Sequence, residues 1–267
     1  MMSPNKTINI TLKIWRQQGP KDRGRFETIP VEGVDTHSSF LEMLDFLNEK
    51  RILEDKEPIE FDNDCREGIC GTCGMMINGI PHGHGKAMTV CQLHMREFND
   101  GDTIVVEPFR ARAFSIIQDL LVDRSPLEKI IQAGGYISVN TGGAPDANAL
   151  PVAQEKADEA MDGAACIGCG ACVAACPNAS AMLFVSAKVS QFALLPQGKP
   201  ETNTRVLSML REMDACGFGN CSNHRVCESA CPKEVSISHI ARFNREFFKA
   251  GLSGRLPVSK NHPNEKL

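Results

Sequence analysis

Cysteine spacing carries the chemistry of this chain. The run CIGCGACVAACP, from Cys166 to Pro177, sets four thiols at C-x2-C-x2-C-x3-C-P. In that spacing the first three cysteines wrap one cubane iron–sulfur cluster and the fourth ligates another. Pro177 biases Cys176 toward an extended conformation, which turns its thiol away. One such run therefore demands a second. CSNHRVCESACP, ending at Pro232, repeats the spacing with His224 at the second ligand position. Exchanging last ligands gives a [4Fe–4S] cluster on Cys166, Cys169, Cys172 and Cys231. It leaves a second site on Cys176, Cys221 and Cys227 with one corner lacking a thiolate. A cubane missing one cysteine is how a [3Fe–4S] cluster arises; alternatively, His224 is the fourth iron ligand, since imidazole can replace thiolate at iron. The three-iron reading is preferred. Structural zinc wants two separated ligand pairs and has no use for this cross-linked spacing.

A second signal lies upstream in CREGICGTCG, where Cys65, Cys70 and Cys73 show C-x4-C-x2-C, with Cys91 as a distant fourth. This is the spacing of a [2Fe–2S] site. Without a Cβ, Gly68, Gly71 and Gly74 permit the positive-φ turns that fold backbone N–H groups onto sulfur. Between Cys73 and Cys91, NGIPHGHGK holds His82 and His84; two histidines one residue apart can bind metal, but in a Gly/Pro-rich connection they read as a solvated loop tip. Cys216 is left over from all three sets and reads as a small buried residue near a helix end. Arg110 and Arg112 are either a solvated face or a dock for an acidic partner surface.

The elements that must position these residues follow from periodicity. Ile8, Ile10, Leu12 and Ile14 alternate in a strand from Thr7 to Trp15, and a second strand is expected from Phe26 to Val31. Ser38 or Ser39 caps a helix carrying Phe40, Leu41, Leu44 and Leu47. Strands follow from Met75 and from Asp102 to Pro108. After Pro108 the pattern turns helical, with Ile116, Ile117, Leu120 and Leu121, and then Leu127, Ile130 and Ile131 behind a Ser125 cap with Pro126 at the first position. Ser138 to Val152 reads as an irregular crossing. Further helices are expected over 153–161, 179–195, 203–213 and 236–248. The expected fold is α+β: an N-terminal β-grasp domain of plant-type ferredoxin kind over residues 1–109, an all-helical domain of bacterial-ferredoxin type over 110–250, and a polar tail over 251–267.

The 267 residues suffice for two domains. Net charge is −4, with 29 basic and 33 acidic residues interspersed, and no basic block marks a nucleic-acid surface. Thiols awaiting iron must stay reduced, which points to a reducing compartment. MMSPNKTINITLKIW lacks an apolar h-region, and no uncharged apolar run reaches the roughly 18 residues a bilayer span needs. No G-x-G-x-x-G follows a strand, so no dinucleotide-binding site is visible in the sequence.

The order CREGICGTCG, CIGCGACVAACP, CSNHRVCESACP resembles the iron–sulfur subunit of succinate dehydrogenase and fumarate reductase, from about Thr7 to Phe248. The resemblance implies an electron relay through [2Fe–2S], [4Fe–4S] and [3Fe–4S] clusters between an FAD-bearing flavoprotein subunit and a membrane quinone. It also implies a membrane anchor subunit, with or without haem, that holds the chain on the cytoplasmic face of a bacterial inner membrane. Many relatives carry tryptophan shortly after the Cys-Pro next to the three-iron ligand, where it helps bind quinone. Here CPNASAMLF has none, and Trp15 is the chain's only tryptophan. The residues assigned to the quinone vicinity are Pro177, Asn178, Ser222, Asn223 and His224, with His224 read as iron ligand, as quinone and proton contact, or as filler of the vacant corner. Alternative readings are the same module serving another flavoenzyme or a thiol-linked fumarate reductase, or a free multi-cluster ferredoxin shuttle.

Overall fold

The computed structural model describes residues 6–138 and 152–253. The crossing expected over Ser138 to Val152 falls almost wholly outside them, as does the tail after Ser253. The elements, in chain order, are β1 (Thr7–Arg16), β2 (Arg25–Asp35), α1 (Phe40–Leu53), β3 (Met76–Ile77), β4 (Ile80–Pro81), β5 (Thr103–Glu107), β6 (Ile116–Gln118), β7 (Leu121–Val122), α2 (Ser125–Gly134), α3 (Gln154–Ala164), α4 (Ala171–Ala175), α5 (Met182–Leu194), α6 (Thr202–Ala215), α7 (Val226–Ser229) and α8 (Ser238–Leu252). They form two compact units. One comprises Met1–Pro126, Ile167–Ala181 and Phe218–Glu234; the other comprises Leu127–Cys166, Met182–Gly217 and Val235–Leu267.

The first unit is built on a five-stranded mixed sheet of order β2-β1-β5-β3-β4. β1 pairs antiparallel with β2 and parallel with β5. Its alternation is the reason for its central place: Ile8, Ile10, Leu12 and Ile14 are all buried on one face. Phe40, Leu41, Met43, Leu44 and Leu47 of α1 close over that face. Ser39 starts α1 through a reciprocal capping box with Glu42, satisfying two otherwise unpaired N–H groups.

Residues 116–122 are a hairpin, where a helical pattern was expected. Ile116 pairs with Val122 and Gln118 with Leu121. The cause lies far away in sequence. Asp119 sits at φ +47° with its carboxylate wholly buried, accepting from Arg16 Nε at 3.1 Å, from the Gln17 N–H at 2.8 Å and from the Glu60 N–H at 3.1 Å. This pins the turn between β6 and β7 to the end of β1, and no helix can satisfy those donors.

Both cysteine runs, from Ile167 and from Phe218 onward, pack with the sheet, whereas the boundary expected near Phe109 assigned them to a helical half. Their own helices, α4 and α7, are only five and four residues long and bury little, so the runs lean on their surroundings. α4 rests on α7 and on β4.

The second unit is helical. α5 is apolar nearly all round, with Leu183, Phe184, Val185, Ala187, Val189, Phe192 and Leu194 buried, as a helix enclosed by others must be. It packs on α3, α6 and α8. Gly163 sets the approach of α3, because a Cβ there would stand 2.7 Å from the Ala187 carbonyl oxygen. Arg205 of α6, 3% exposed, donates to the carbonyls of Gly134, Tyr136 and Gly198 and to Glu201, and stacks on Phe192. It thereby ties the end of α2 to the start of α6. α8 runs through Leu252, beyond the point where the tail was expected to begin.

Asp119→Ala takes the acceptor from buried Arg16 Nε and from the Gln17 and Glu60 N–H groups, although Arg16 keeps Glu27 and the Pro58 carbonyl. Breaking a buried pair costs about 3–5 kcal/mol, so urea unfolding should show a loss of that size, with Asp119→Asn losing less.

Candidate metal centres

The first cysteine loop lies between α1 and β3, and Arg66 ties it to Asp45 of α1 at 2.5 Å. Cys65 Sγ accepts the N–H groups of Glu67 and Ile69 at 3.4 Å and of Cys70 at 3.3 Å. These donors, led by Glu67, hold its thiol down to about 6, favouring the thiolate that binds iron. Cys70 Sγ accepts from Thr72 N–H at 3.5 Å. Cys73 and Cys91 are buried and close together. Burial pushes the Cys73 thiol up to about 12, with the Cys91 charge adding to it. The loop thus grades from a solvent-side thiolate cradled by N–H groups to a buried pair.

Gly68 and Gly71 adopt φ of +78° and +73°, as N–H donation to sulfur requires. Gly74 is not in that region and serves another purpose: a Cβ there would stand 2.5 Å from the Phe109 ring. His82 departs from the expected loop tip. It is 1% exposed, edge-on to Phe109 at 5.7 Å, and both ring nitrogens lack a protein partner. Burial holds its pKa down to about 4. His84 is exposed and lies against Phe98.

The two later runs are copies of one backbone. Left-handed φ values recur at matched positions: Gly168 and Asn223, Gly170 and Arg225, Ala179 and Glu234. Each run enters its short helix directly after the second of these, α4 behind Gly170 and α7 behind Arg225. Cys176 N–H donates to Val173 O at 3.1 Å and Cys231 N–H to Glu228 O at 3.2 Å; Ala179 N–H donates to Cys176 O at 2.8 Å and Glu234 N–H to Cys231 O at 3.1 Å. In this register His224 stands where Cys169 stands. Cys169 is buried and His224 exposed. Burial pushes the Cys227 thiol up, and the charges of Cys176 and Cys221 contribute, so these three thiols lie within electrostatic reach of one another. Asn178 Nδ2 donates to Ser222 Oγ at 2.8 Å and to Asn220 O at 2.9 Å, joining the two runs. Pro177, Asn223 and His224 are exposed beside that link.

Cys216 caps the end of α6 and donates to Glu212 at 3.5 Å; burial first and Glu212 second push it up to about 11. Arg110 pairs with Glu107 at 2.9 Å and stacks on Trp15 at 4.0 Å, while Arg112 is exposed. Two further residues went unread in the sequence. Lys188, half-buried on α5, has its pKa lowered by burial and raised in part by Cys166. Arg124 donates to Gly71 O at 2.5 Å. Neither belongs to a motif, and only the packing brings them to cysteines.

Among the described residues, no three His, Cys, Asp or Glu side chains close on a single ion. The fit to clusters rests on the donor set: thiols in three spacings, an N–H cradle at Cys65, and left-handed turns beside the cysteines of both later runs.

Comparison with known proteins agrees in motif order. A 2Fe-2S iron–sulfur cluster binding domain model matches residues 11–129, and a 4Fe-4S dicluster domain model matches residues 165–235. The succinate dehydrogenase iron–sulfur subunit of Bacillus subtilis is 30% identical over 201 residues, covering 72% of this chain and 74% of that protein. The chain belongs to the family of succinate dehydrogenase and fumarate reductase iron–sulfur subunits. Within the family's reach, the fumarate reductase iron–sulfur subunit of Wolinella succinogenes is 28% identical over 247 residues, covering 89% of this chain and 96% of its own length. An uncharacterized iron–sulfur protein of Methanococcus maripaludis is 28% identical over 269 residues and covers 96% of this chain, which spans 47% of that longer protein. A chain of the Mycobacterium smegmatis Sdh1 complex in the apo form shares the fold, with TM-score 0.61 and 17% identity over 95% of this chain and 100% of that one.

The buried His82 gives acid sensitivity. Its folded pKa of about 4 lies below the ordinary 6.5, so between these values the unfolded chain takes up a proton that the folded chain refuses. Stability then falls as pH drops through that window, by about 1.4 kcal/mol per unit. His82→Phe should flatten this part of the profile, measured by urea unfolding between pH 7 and 4.

Proposed function

We propose that this chain is the electron-transfer subunit of a succinate:quinone oxidoreductase, relaying electrons between the FAD of a flavoprotein subunit and a membrane quinone. The observation that carries the reading is the repeated backbone of the two later runs, with His224 at a ligand position, downstream of the N–H-cradled loop at Cys65. The ligand sets are Cys65, Cys70, Cys73 and Cys91 for [2Fe–2S]; Cys166, Cys169, Cys172 and Cys231 for [4Fe–4S]; and Cys176, Cys221 and Cys227 for [3Fe–4S]. The clusters, when bound, supply reversible one-electron redox chemistry.

The residues do the rest. N–H donors to Cys65 stabilise negative charge on sulfur, and burial around Cys73 disfavours it, which sets potentials by hydrogen bonding and dielectric. The dicluster model is named for two four-iron clusters; the missing thiolate at His224 is what favours three irons at the second site. By cofactor content the chain divides at residue 109, with a β-grasp ferredoxin module before it, the helical cluster module over 110–250, and the tail over 251–267. Pro177, Asn178, Ser222, Asn223 and His224 form the quinone side, and an anchor subunit, with or without haem, holds the chain at the cytoplasmic face of the membrane. No helix among the described residues is long and apolar enough to cross a membrane, which is consistent with an anchor on another chain.

Low-temperature EPR of the air-oxidised protein, with iron counted in the same sample, tests the assignment. The expected result is a [3Fe–4S] signal with about nine irons per chain; a silent oxidised state with about ten irons would refute the three-iron site. In the purified complex, Cys172→Ser should abolish succinate-dependent quinone reduction while dye reduction at the flavin persists, and unchanged quinone reduction would refute the relay.

A further inference from the structure

The first two cysteine motifs touch main chain to main chain, and the contact is made at a residue with no side chain. Gly71 lies between Cys70 and Cys73. A Cβ placed on it would stand 2.5 Å from the Ile167 carbonyl oxygen and 3.1 Å from both N and Cα of Cys169. Its φ of +73° is also one that side chains resist. The route from the Cys70 thiol to the Cys169 thiol is therefore covalent except for one van der Waals gap, between the backbones of Gly71 and Cys169. Electrons tunnel far better along bonds than across space, so a single tight gap is the natural crossing.

A guanidinium fixes the Gly71 side of that gap. Arg124 Nη1 donates to Gly71 O at 2.5 Å, and its Nη2 lies 3.9 Å from Asp62 Oδ2, with the side chain 19% exposed. Arg124 directly follows the β6–β7 hairpin that Asp119 pins to β1, and the Asp123 carboxylate accepts from the Ser125 N–H at 2.9 Å on its other side. The clamp is thus anchored in the sheet rather than in the cysteine loop.

We infer that the Gly71–Cys169 backbone contact is the electron crossing between the first two cluster sites, and that Arg124 is a positioning residue that fixes its Gly71 side. The inference rests on the proposed ligand sets. One electron leaves the reduced [2Fe–2S] site, which is oxidised by one, and the [4Fe–4S] site is reduced by one; no bond is made or broken and no proton moves. The reductant upstream is the partner's reduced flavin, and the oxidant downstream is quinone.

The test uses the assembled complex, with Gly71→Ala, Arg124→Gln and Arg124→Lys. Iron content and the EPR spectrum of each reduced cluster establish that both sites are loaded. Power saturation of the reduced [2Fe–2S] signal, with the [4Fe–4S] site reduced and then oxidised, reads the spin–spin coupling, which weakens steeply with separation. Freeze-quench EPR after a succinate pulse reads how fast the [4Fe–4S] site fills. Expected are intact spectra, weakened coupling and several-fold slower filling in Gly71→Ala and Arg124→Gln, with partial recovery in Arg124→Lys. Loaded variants with unchanged coupling and filling would overturn the inference. If Gly71→Ala does not load its [2Fe–2S] site, the two Arg124 variants decide by the same readouts. A wild-type complex lacking either signal would overturn the ligand assignment itself, and this is seen before any variant is compared.

Discussion

Backbone contact between cysteine motifs is the constraint on which the rest of this structure depends. Two loops that must approach this closely cannot interpose side chains, and they cannot drift apart without losing their purpose. Gly71 removes the side chain; the surrounding fold removes the freedom to drift. The hairpin at 116–122 and the buried Asp119–Arg16 pair brace the segment from which Arg124 reaches Gly71. This also explains why Ile167–Ala181 and Phe218–Glu234 pack with the sheet instead of with the helices that follow them in the chain. Runs whose helices are one turn long have too little apolar surface to form a core, so they borrow one.

Much of this was legible in the sequence where the signal is local. Alternation over Ile8 to Ile14 is a strand signature, and a serine cap at 38 or 39 starts α1; the structure has the strand, and Ser39 is the cap. The apolar spacing of α5, α6 and α8 located those helices to within a few residues. What failed were readings that depended on distant partners. Ile116, Ile117, Leu120 and Leu121 fit a helical period and a tight hairpin almost equally well at that length, and only the donors from Arg16, Gln17 and Glu60 decide between them. His82 sits among glycines and proline, which suggested solvent, yet Phe109 comes from a different strand end to cover it. Gly74 shares a motif with Gly68 and Gly71 but makes room for a ring instead of turning the chain.

The repeat of the two cysteine runs was legible in the sequence, and the surroundings of the candidate site were not. Spacing alone names the cysteines and puts His224 in register with Cys169. It says nothing of Lys188 beside Cys166 or of Arg124 on Gly71, because a lone cation on a helix or after a strand has no pattern. Such residues set charge and distance around a relay, and only packing reveals them.

The repeated backbone of the two cysteine runs hides an asymmetry. At its three left-handed positions the first run has Gly168, Gly170 and Ala179, two of them free of penalty. The second has Asn223, which tolerates that conformation, and Arg225 and Glu234, which resist it at a cost of order 1 kcal/mol each. The same shape thus costs less in the first copy than in the second. The second run therefore holds more of its turn geometry against side-chain preference than the first, and such geometry persists only where the surrounding structure over-determines it.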